Sequence, residues 1–542
     1  MSGLYYQSRS LASWLVFPTA VVLLLLIGSA TYNLYFHPLA RVPGPFWARA
    51  SGIPSWYHAI RGDRHLWLWR QFQVYGYRIR PEPNMILFYD PTAYAEIYGM
   101  KSNVRRAPFF AAFKRVESEN TALTEIDVTK HARKRKLLAL SFTDQSLRAA
   151  STFVIKHIDR WTQIIAQEID SFTDWSAPED FTEIIDTLIF DIVGDLSFGK
   201  SFDIKEPGSN PLKKIPHSIK EYIRFYYPIC RSPFLHLLLW LKPRGLDKVF
   251  ELLSPPAVHE YSSFVYQSVS DRITLQHQQA ETSEAERRQD MFHFLYEARD
   301  PDTGQRAYDE DELRAECTLL IMAGSDTVSI SLSSIFFYLT GDPRRCQKLM
   351  HEIRTTFESA EDIVHGPKLQ DCVYLRACIN EGMRLTPTIA SEHPREVLAG
   401  GLSILGEHYP AGTIVGIVPW ASSRNRAVYG DDAEVFRPER WIVDGSTGST
   451  TEEKLAQYKS GFHPFLSGPY SCIGRHLAMM EMTLIVARTL HRFDIRRAPG
   501  STLGGGRPGL GWGATDKTQL LVEDAYISLR HGPEVQFRKK IS

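Results

Sequence analysis

Phe465-Leu466-Ser467-Gly468-Pro469-Tyr470-Ser471-Cys472-Ile473-Gly474 is the stretch on which the reading of this 542-residue chain turns. It sets one cysteine in a glycine-flanked turn, and a helical periodicity begins directly after it at Arg475. Backbone N–H groups and the positive end of a helix dipole favour a thiolate over a thiol at such a place. A thiolate held that way is a metal ligand or a nucleophile. The other cysteines (Cys230, Cys317, Cys346, Cys372 and Cys378) are scattered, with no Cys-x-x-Cys pair and no good zinc spacing. Reduced thiols on the cytosolic side are the simpler reading than a disulfide framework.

The bulk composition narrows the class. With 44% hydrophobic and 23% charged residues, the chain is ordinary globular protein with ample length for a large core. Its formal net charge is zero, which removes any global attraction to nucleic acid.

Outward from the loop, the other end of the chain carries the next signal. Leu11 to Tyr32 contains no charged residue and includes Val21-Val22-Leu23-Leu24-Leu25-Leu26-Ile27. About 20 such residues span a bilayer core as a helix. Pro18 stands near the start of this run, where a helix tolerates proline best. The rival reading is a cleaved signal peptide, with Gly28-Ser29-Ala30 as small residues at a cleavage site. Against it, the apolar run is long and only Arg9 precedes it. Arg41, Arg49, Arg61 and Arg64 follow the run, so the positive-inside rule places the N-terminus in the lumen and the body in the cytosol. His37-Pro38-Leu39-Ala40-Arg41-Val42-Pro43-Gly44-Pro45 reads as a stiff, non-helical connector. The expected organisation is a short lumenal segment (residues 1–10), an anchor (11–32), a Pro-rich hinge (33–50) and one large domain (51–542).

Within that domain, helical periodicity is expected over 131–170, 181–197, 257–278, 309–340, 343–358, 368–385 and 475–490. Short strands are expected at Tyr77–Arg80, Met85–Tyr89, Leu402–Leu405 and Thr413–Val418. The Gly-rich residues 503–513 read as loops or a late hairpin, and 279–290 as an exposed loop. The fold class is mainly α with small β-sheets.

Four further motifs carry chemistry. Inside the helix expected from Asp311 to Thr340, apolar Leu319-Leu320-Ile321-Met322-Ala323 is followed by Gly324, Ser325, Asp326 and Thr327, a costly sequence for a buried helix. Glu381 and Arg384 share a helical face at i,i+3, and Phe436-Arg437-Pro438-Glu439-Arg440-Trp441 supplies another arginine. Lys130-His131-Ala132-Arg133-Lys134-Arg135-Lys136 is a basic helix start, with His131 and Arg135 on one face. Arg395 lies in His393-Pro394-Arg395-Glu396-Val397.

Taken in order, these motifs resemble the cytochrome P450 family. Phe-x-x-Gly-x-x-x-Cys-x-Gly resembles its haem loop, Ala323 to Thr327 its Ala/Gly-Gly-x-Asp/Glu-Thr pattern, and Phe436 to Trp441 its arginine box, with Trp in the aromatic place. The Pro-Gly-Pro hinge is similar to microsomal members, and Tyr35-Phe36-His37-Pro38-Leu39 to fungal ones. The resemblance implies the P450 fold with an N-terminal transmembrane helix. It implies haem b (iron protoporphyrin IX), with Cys472 as axial iron ligand in a loop that includes Phe465, Gly468 and Gly474. His131, Arg135 and Arg395 would bind the haem propionates, Asp326 and Thr327 would deliver protons, and Glu381, Arg384 and Arg440 would form a structural network. Tyr470 departs from the family, which usually has Arg or His there.

The implied reaction is insertion of one oxygen atom from O2 into a lipophilic small molecule. Its electrons would come from NADPH through NADPH–cytochrome P450 reductase, with cytochrome b5 as a further donor, on the cytosolic face of the endoplasmic reticulum membrane in contact with its lipid. Arg133, Lys134 and Lys136 would help dock the acidic donor. A pocket drawn from Phe109 to Phe113, Leu319 to Ala323 and Thr386 to Ser391 suits a polyketide, terpenoid or alkaloid intermediate of fungal secondary metabolism. The alternatives are a haem-thiolate isomerase, dehydratase or ring-rearranging enzyme of the same fold, and a non-enzymatic haem protein. The intact Asp326-Thr327 pair argues against both.

Overall fold

The apolar N-terminal run forms one helix, Ser2–Thr31, continued by a five-residue π-helical turn, Tyr32–Phe36. This computed structural model describes residues 2–114, 120–171, 174–279, 288, 290–444 and 450–540, and side chains from residue 17 onward. Because the helix begins at Ser2, Pro18 lies inside it rather than at its first turn. Phe17–Phe36 is long and apolar enough to cross a membrane, and only 6% of its most apolar window is buried, whereas the comparably apolar Glu310–Gly341 is 67% buried as the core helix of the body.

The connector after the N-terminal helix is packed, not free. Leu34, Leu39 and Val42 are buried. Arg80 N–H donates to Pro43 O at 2.8 Å, Arg80 Nη1 to Asn33 O at 2.8 Å, and Asn33 Nδ2 to Ala50 O at 3.0 Å. A Cβ on Gly44 would run into the backbone of Arg80, so glycine is what allows this close approach. The connector His37–Pro45 is non-helical, and a short helix, Phe46–Ala50, follows it directly.

The connector leans on a five-stranded sheet ordered Arg78–Glu82, Met85–Phe88, Ile414–Ile417, Arg395–Val397, Val104–Arg106. Its last two strands pair antiparallel, with Arg106 directly opposite Arg395. A cross-strand pair of like charges is unfavourable unless something anionic answers it.

Most of the body is helical. The periodicity over 131–170 resolves into a basic helix, Val128–Ala139, and a second helix, Asp144–Gln167. Thr143 makes the break by capping Ser146 N. Residues 368–385 likewise divide into Pro367–Gln370 and Val373–Leu385. The central helix, Glu310–Gly341, is capped by Asp309 and runs as one α-helix through Gly324. It packs along a cross helix, Phe181–Phe198, and a Cβ on Gly324 would stand 3.3 Å from Val193 Cγ2. Gly324 is therefore a helix-crossing residue. The cysteine-loop helix, Arg475–Arg492, is buried along most of its length.

Helices at Ile215–Cys230, Leu235–Leu241 and Leu246–Leu253 are additions to the sequence reading. Residues 503–513 form irregular turns, and the late hairpin follows them as Glu523–Ala525 and Ile527–Leu529. The loop expected over 279–290 lies largely outside the described residues.

Candidate active site

The cysteine loop is held by its own backbone. Cys472 N–H donates to Phe465 O at 2.7 Å, closing the turn. Gly468 has φ +67°, and a side chain there would strike Tyr98 O, so only glycine fits. The Cys472 side chain has accessible surface, yet that surface opens into an internal cavity and the residue is otherwise enclosed. Burial pushes its thiol up, opposed by the Gly474 amide and by Arg135 and Arg475. The loop favours the thiolate less than its sequence suggests, and a coordinated metal is what deprotonates such a thiol outright.

The cavity, about 340 Å³, is of the size used for small-molecule sites. Cys472, Phe465 and Gly474 line it from the loop, and Ala323, Gly324 and Thr327 from the central helix. Of the expected pocket residues, Phe110, Phe113, Leu319, Leu320, Met322, Ala323, Thr388 and Ile389 reach it. Phe109 does not line it and instead lies under the Arg231 guanidinium, 4.2 Å from the ring centroid.

Its polar corner is cationic. Arg106, Arg135, Arg395 and His131 all line the cavity. Arg106 donates to Ala122 O and Leu123 O, Arg135 Nη2 to Ser471 Oγ at 3.3 Å, and Arg395 Nη1 to Pro394 O at 3.1 Å. No carboxylate among the described residues pairs with any of them, and Arg395 Nε is buried without a partner. Burial and the neighbouring Arg395 press Arg106 down to about 9. Burial, then Arg106, Arg135 and Arg395, press His131 to about 3, so its ring is neutral. Tyr470 fills the middle of this corner. Its ring lies 4.7 Å from the Arg395 guanidinium carbon, 5.1 Å from that of Arg106 and 4.5 Å from the His131 ring. Among the described residues three guanidiniums stand here without an anion, and the two propionates of a haem fit the site.

Arg106 escaped the sequence reading. The signal was strand alternation: Arg105 points out to Glu396 at 2.9 Å, so its neighbour must point in. Of the expected acid–alcohol pair, only Thr327 reaches the cavity, its Oγ1 donating to Ala323 O at 2.7 Å. Asp326, one residue along the helix, is buried on another face. Burial and the charge of Asp186 push it up to about 7, against Arg530 and Lys220.

Glu381, Arg384 and Arg440 do meet, away from this cavity. Glu381 Oε1 lies 2.8 Å from Arg384 Nη2 and 3.4 Å from Arg440 Nε, and all three side chains are fully buried. Trp441 Nε1 donates to Glu381 Oε2 at 2.9 Å, so the aromatic of the arginine box is also a donor. Of the basic helix, Arg133 pairs with Asp300, Lys134 with Glu312 and Glu316, and Lys136 with Asp302. These three are therefore engaged within the chain.

The Cytochrome P450 family model matches residues 44–504. The chain is 32% identical over 535 residues to the cytochrome P450 monooxygenase fscF of Fusarium equiseti, covering 98% of this chain and 97% of that one. It is 31% identical over 529 residues to the cytochrome P450 monooxygenase apf7 of Gibberella fujikuroi, covering 94% and 95%. It is 30% identical over 512 residues to the cytochrome P450 monooxygenase AKT7 of Alternaria alternata, covering 94% of each. On these grounds the chain belongs to the cytochrome P450 family and is one of its monooxygenases.

Proposed function

We propose that this monooxygenase uses haem b and electrons from NADPH, passed by a membrane reductase, to insert one atom of O2 into a lipophilic small molecule of fungal secondary metabolism. The observation that carries the reading is one cavity with Cys472 and Thr327 in its walls and an uncompensated cationic corner between apolar surfaces. Haem b, when bound, supplies the iron chemistry that binds and splits dioxygen.

The chain's own residues have distinct tasks. Cys472 Sγ would hold the haem iron as its thiolate, and Phe465, Gly468 and Gly474 shape the loop that presents it. Arg106, Arg135 and Arg395 would neutralise the propionates, and neutral His131 would donate a ring N–H. Tyr470 holds Arg106 and Arg395 by its ring face in place of the usual loop cation. The Thr327 hydroxyl lines the cavity with its proton on Ala323 O, so it would deliver that proton on turning away from the carbonyl, and Asp326 is the acid that replenishes it. Apolar walls exclude water and orient a lipophilic substrate. Glu381, Arg384 and Arg440 support the fold.

The apolar helix Phe17–Phe36 is the anchor in the endoplasmic reticulum membrane, with the body on the cytosolic face. Trp47, Phe234, Trp240 and Leu252, each more than half exposed, would rest on its lipid. The electron donor, reductase or cytochrome b5, would dock on cations left free near the cysteine loop. Lys130 and Arg475 are exposed and have no carboxylate partner among the described residues.

The test is turnover of the full-length enzyme with reductase, NADPH and ¹⁸O2 on a panel of lipophilic polyketides, terpenoids and alkaloids. A product heavier by one ¹⁸O, formed only with reductase and NADPH, supports the reading. Product formed without reductase would favour an isomerase or dehydratase.

A further inference from the structure

Arg231 is a buried guanidinium with one edge unused. It caps the C-terminus of the helix Ile215–Cys230 and is 5% exposed. Its Nη1 is ion-paired with Glu392 Oε1. Its Nε and Nη2, which share one edge of the planar group, are buried without a hydrogen-bond partner among the described residues. Such an edge is a fork of two parallel N–H donors.

The charge of Arg231 is answered and its donors are not. Glu392 is fully buried and also accepts from Arg64 Nη1 at 2.6 Å and Arg64 Nη2 at 3.2 Å. Burial would raise the Glu392 carboxyl, but Arg231 and Arg64 hold it down to about 2. Glu82 stands 3.4 Å from Arg64 Nη2, so two arginines face two carboxylates. Asp524 adds a third carboxyl, pushed up by burial, whose Oδ2 accepts from Ser391 Oγ and, at 3.1 Å, from the Tyr227 hydroxyl. A structural ion pair accounts for Nη1 and for the charge. It leaves two N–H groups in the interior with nothing to donate to, which is unfavourable for any buried donor. The corner around Tyr470 calls for an anion, whereas this edge calls for a neutral acceptor.

Arg231 lies one ring behind the cavity wall. Its guanidinium carbon is 4.2 Å from the centroid of the Phe109 ring. Phe109 in turn meets Phe110, Phe113 and Tyr526 at 5.2, 5.3 and 5.2 Å between ring centroids. Those three residues line the cavity. Tyr526, at the tip of the late hairpin, holds φ +74°, a left-handed conformation that is rare for an aromatic residue and marks a constrained wall. Phe109 is thus the partition between Arg231 and the cavity.

We propose that Arg231 is a specificity-determining residue that receives an uncharged carbonyl oxygen of the substrate when the Phe109 side chain turns aside. This rests on the reading of the cavity as the site of a lipophilic substrate. The carbonyl oxygen accepts from Nε and Nη2 together, and no bond is made or broken. A carboxylate in its place would stand beside Glu392, Glu82 and Asp524, where like charges disfavour it. A plain hydrocarbon would leave the fork unpaired and be bound less well. The substrate is therefore an oxygenated intermediate carrying a ketone, ester or lactone, and the class of reaction that supplies it has already formed that carbonyl.

The test is ligand binding to the full-length, haem-loaded protein, read from the haem absorbance shift on titration with 2-undecanone, undecane and undecanoate. Arg231→Lys keeps a charge for Glu392 but has no planar fork, and Arg231→Met has neither. Both are expected to weaken 2-undecanone roughly ten- to hundredfold, the range of a hydrogen bond to a charged group, and to leave undecane unchanged. Phe109→Ala removes the partition and is expected to tighten the ketone, a gain that disappears once Arg231→Lys is added. Undiminished ketone binding in both Arg231 variants would overturn the arginine site and leave the lipophilic pocket standing. A greater loss for undecanoate than for the ketone would show that a charge was wanting and overturn the neutral class. No absorbance shift with any of the three probes in the wild type would overturn the site and the lipophilic reading together.

Discussion

Two groups of buried or half-buried arginines in this molecule look alike in sequence and differ in what answers them. Arg384 and Arg440 are met by Glu381, by Asp432 and by backbone carbonyls of Ser423, Ala433 and Tyr429. Arg106, Arg135 and Arg395 are met by carbonyls, one serine hydroxyl and aromatic faces, with no carboxylate among the described residues. The first group is complete as the chain folds. The second has no anion of its own among the described residues, as the proposed propionate site requires. Burial with full compensation marks structure, and burial without it marks a binding site.

The largest way to break the contrast is Glu381→Ala, which leaves two buried guanidiniums facing one another. Removing one partner of a buried ion pair costs about 3–5 kcal/mol, so little folded protein is expected whether or not haem is supplied. Recovery of soluble, cooperatively unfolding protein would show that the network is not structural.

Arg395→Ala is expected to act in the reverse sense. Haem affinity should fall roughly tenfold or more, since a charge-assisted hydrogen bond is worth about 1.5–3 kcal/mol. Unfolding of the haem-free protein should be unchanged or shifted to higher temperature, because a cross-strand repulsion with Arg106 is relieved. Haem titration and thermal unfolding of the haem-free protein measure the two effects separately.

Tyr470→Arg sharpens the same point. It adds a cation where three stand already, so the haem-free protein should lose stability by up to about 1 kcal/mol, and haem should restore it. Equal effects with and without haem would remove Tyr470 from the corner.

Acid gives the smallest contrast. Burial would raise Glu381, but Arg384 and Arg440 overcome it and hold its carboxyl below the ordinary value. A carboxylate depressed in this way contributes stability above the ordinary glutamate range, and that stability is lost as pH falls through its folded value. The haem-free cationic corner has no such carboxylate among the described residues. Denaturant midpoints of haem-free wild type and Arg395→Ala should therefore fall in parallel once the pH drops below the ordinary glutamate value of 4.5. Diverging lines would reveal a carboxylate partner for Arg395.

What was legible in the sequence follows from distance along the chain. The cysteine loop, the central helix and the Glu381–Arg384 pair are runs of near neighbours, so their spacing carries their geometry. Arg106 reaches the cavity through the register of a strand 289 residues away from it, which no local pattern records. Thr327 and Asp326 are adjacent in sequence, yet successive helical residues point in different directions, and only Thr327 lines the cavity. The helix Ile215–Cys230 carries Pro216 and Pro228, which blur the usual helix signals. The connector reads as a hinge because of its prolines, while its packing depends on Leu34, Leu39 and Val42 meeting a sheet formed later in the chain.

The central claim is that Cys472 is a thiolate ligand to haem iron. The most direct measurement is the carbon monoxide difference spectrum of the reduced full-length protein beside Cys472→Ala. A thiolate-type Soret band in the wild type that vanishes in the variant, with the fold retained, is the predicted result. Absence of that band in correctly folded, haem-loaded wild type, or its persistence in Cys472→Ala, would contradict the account.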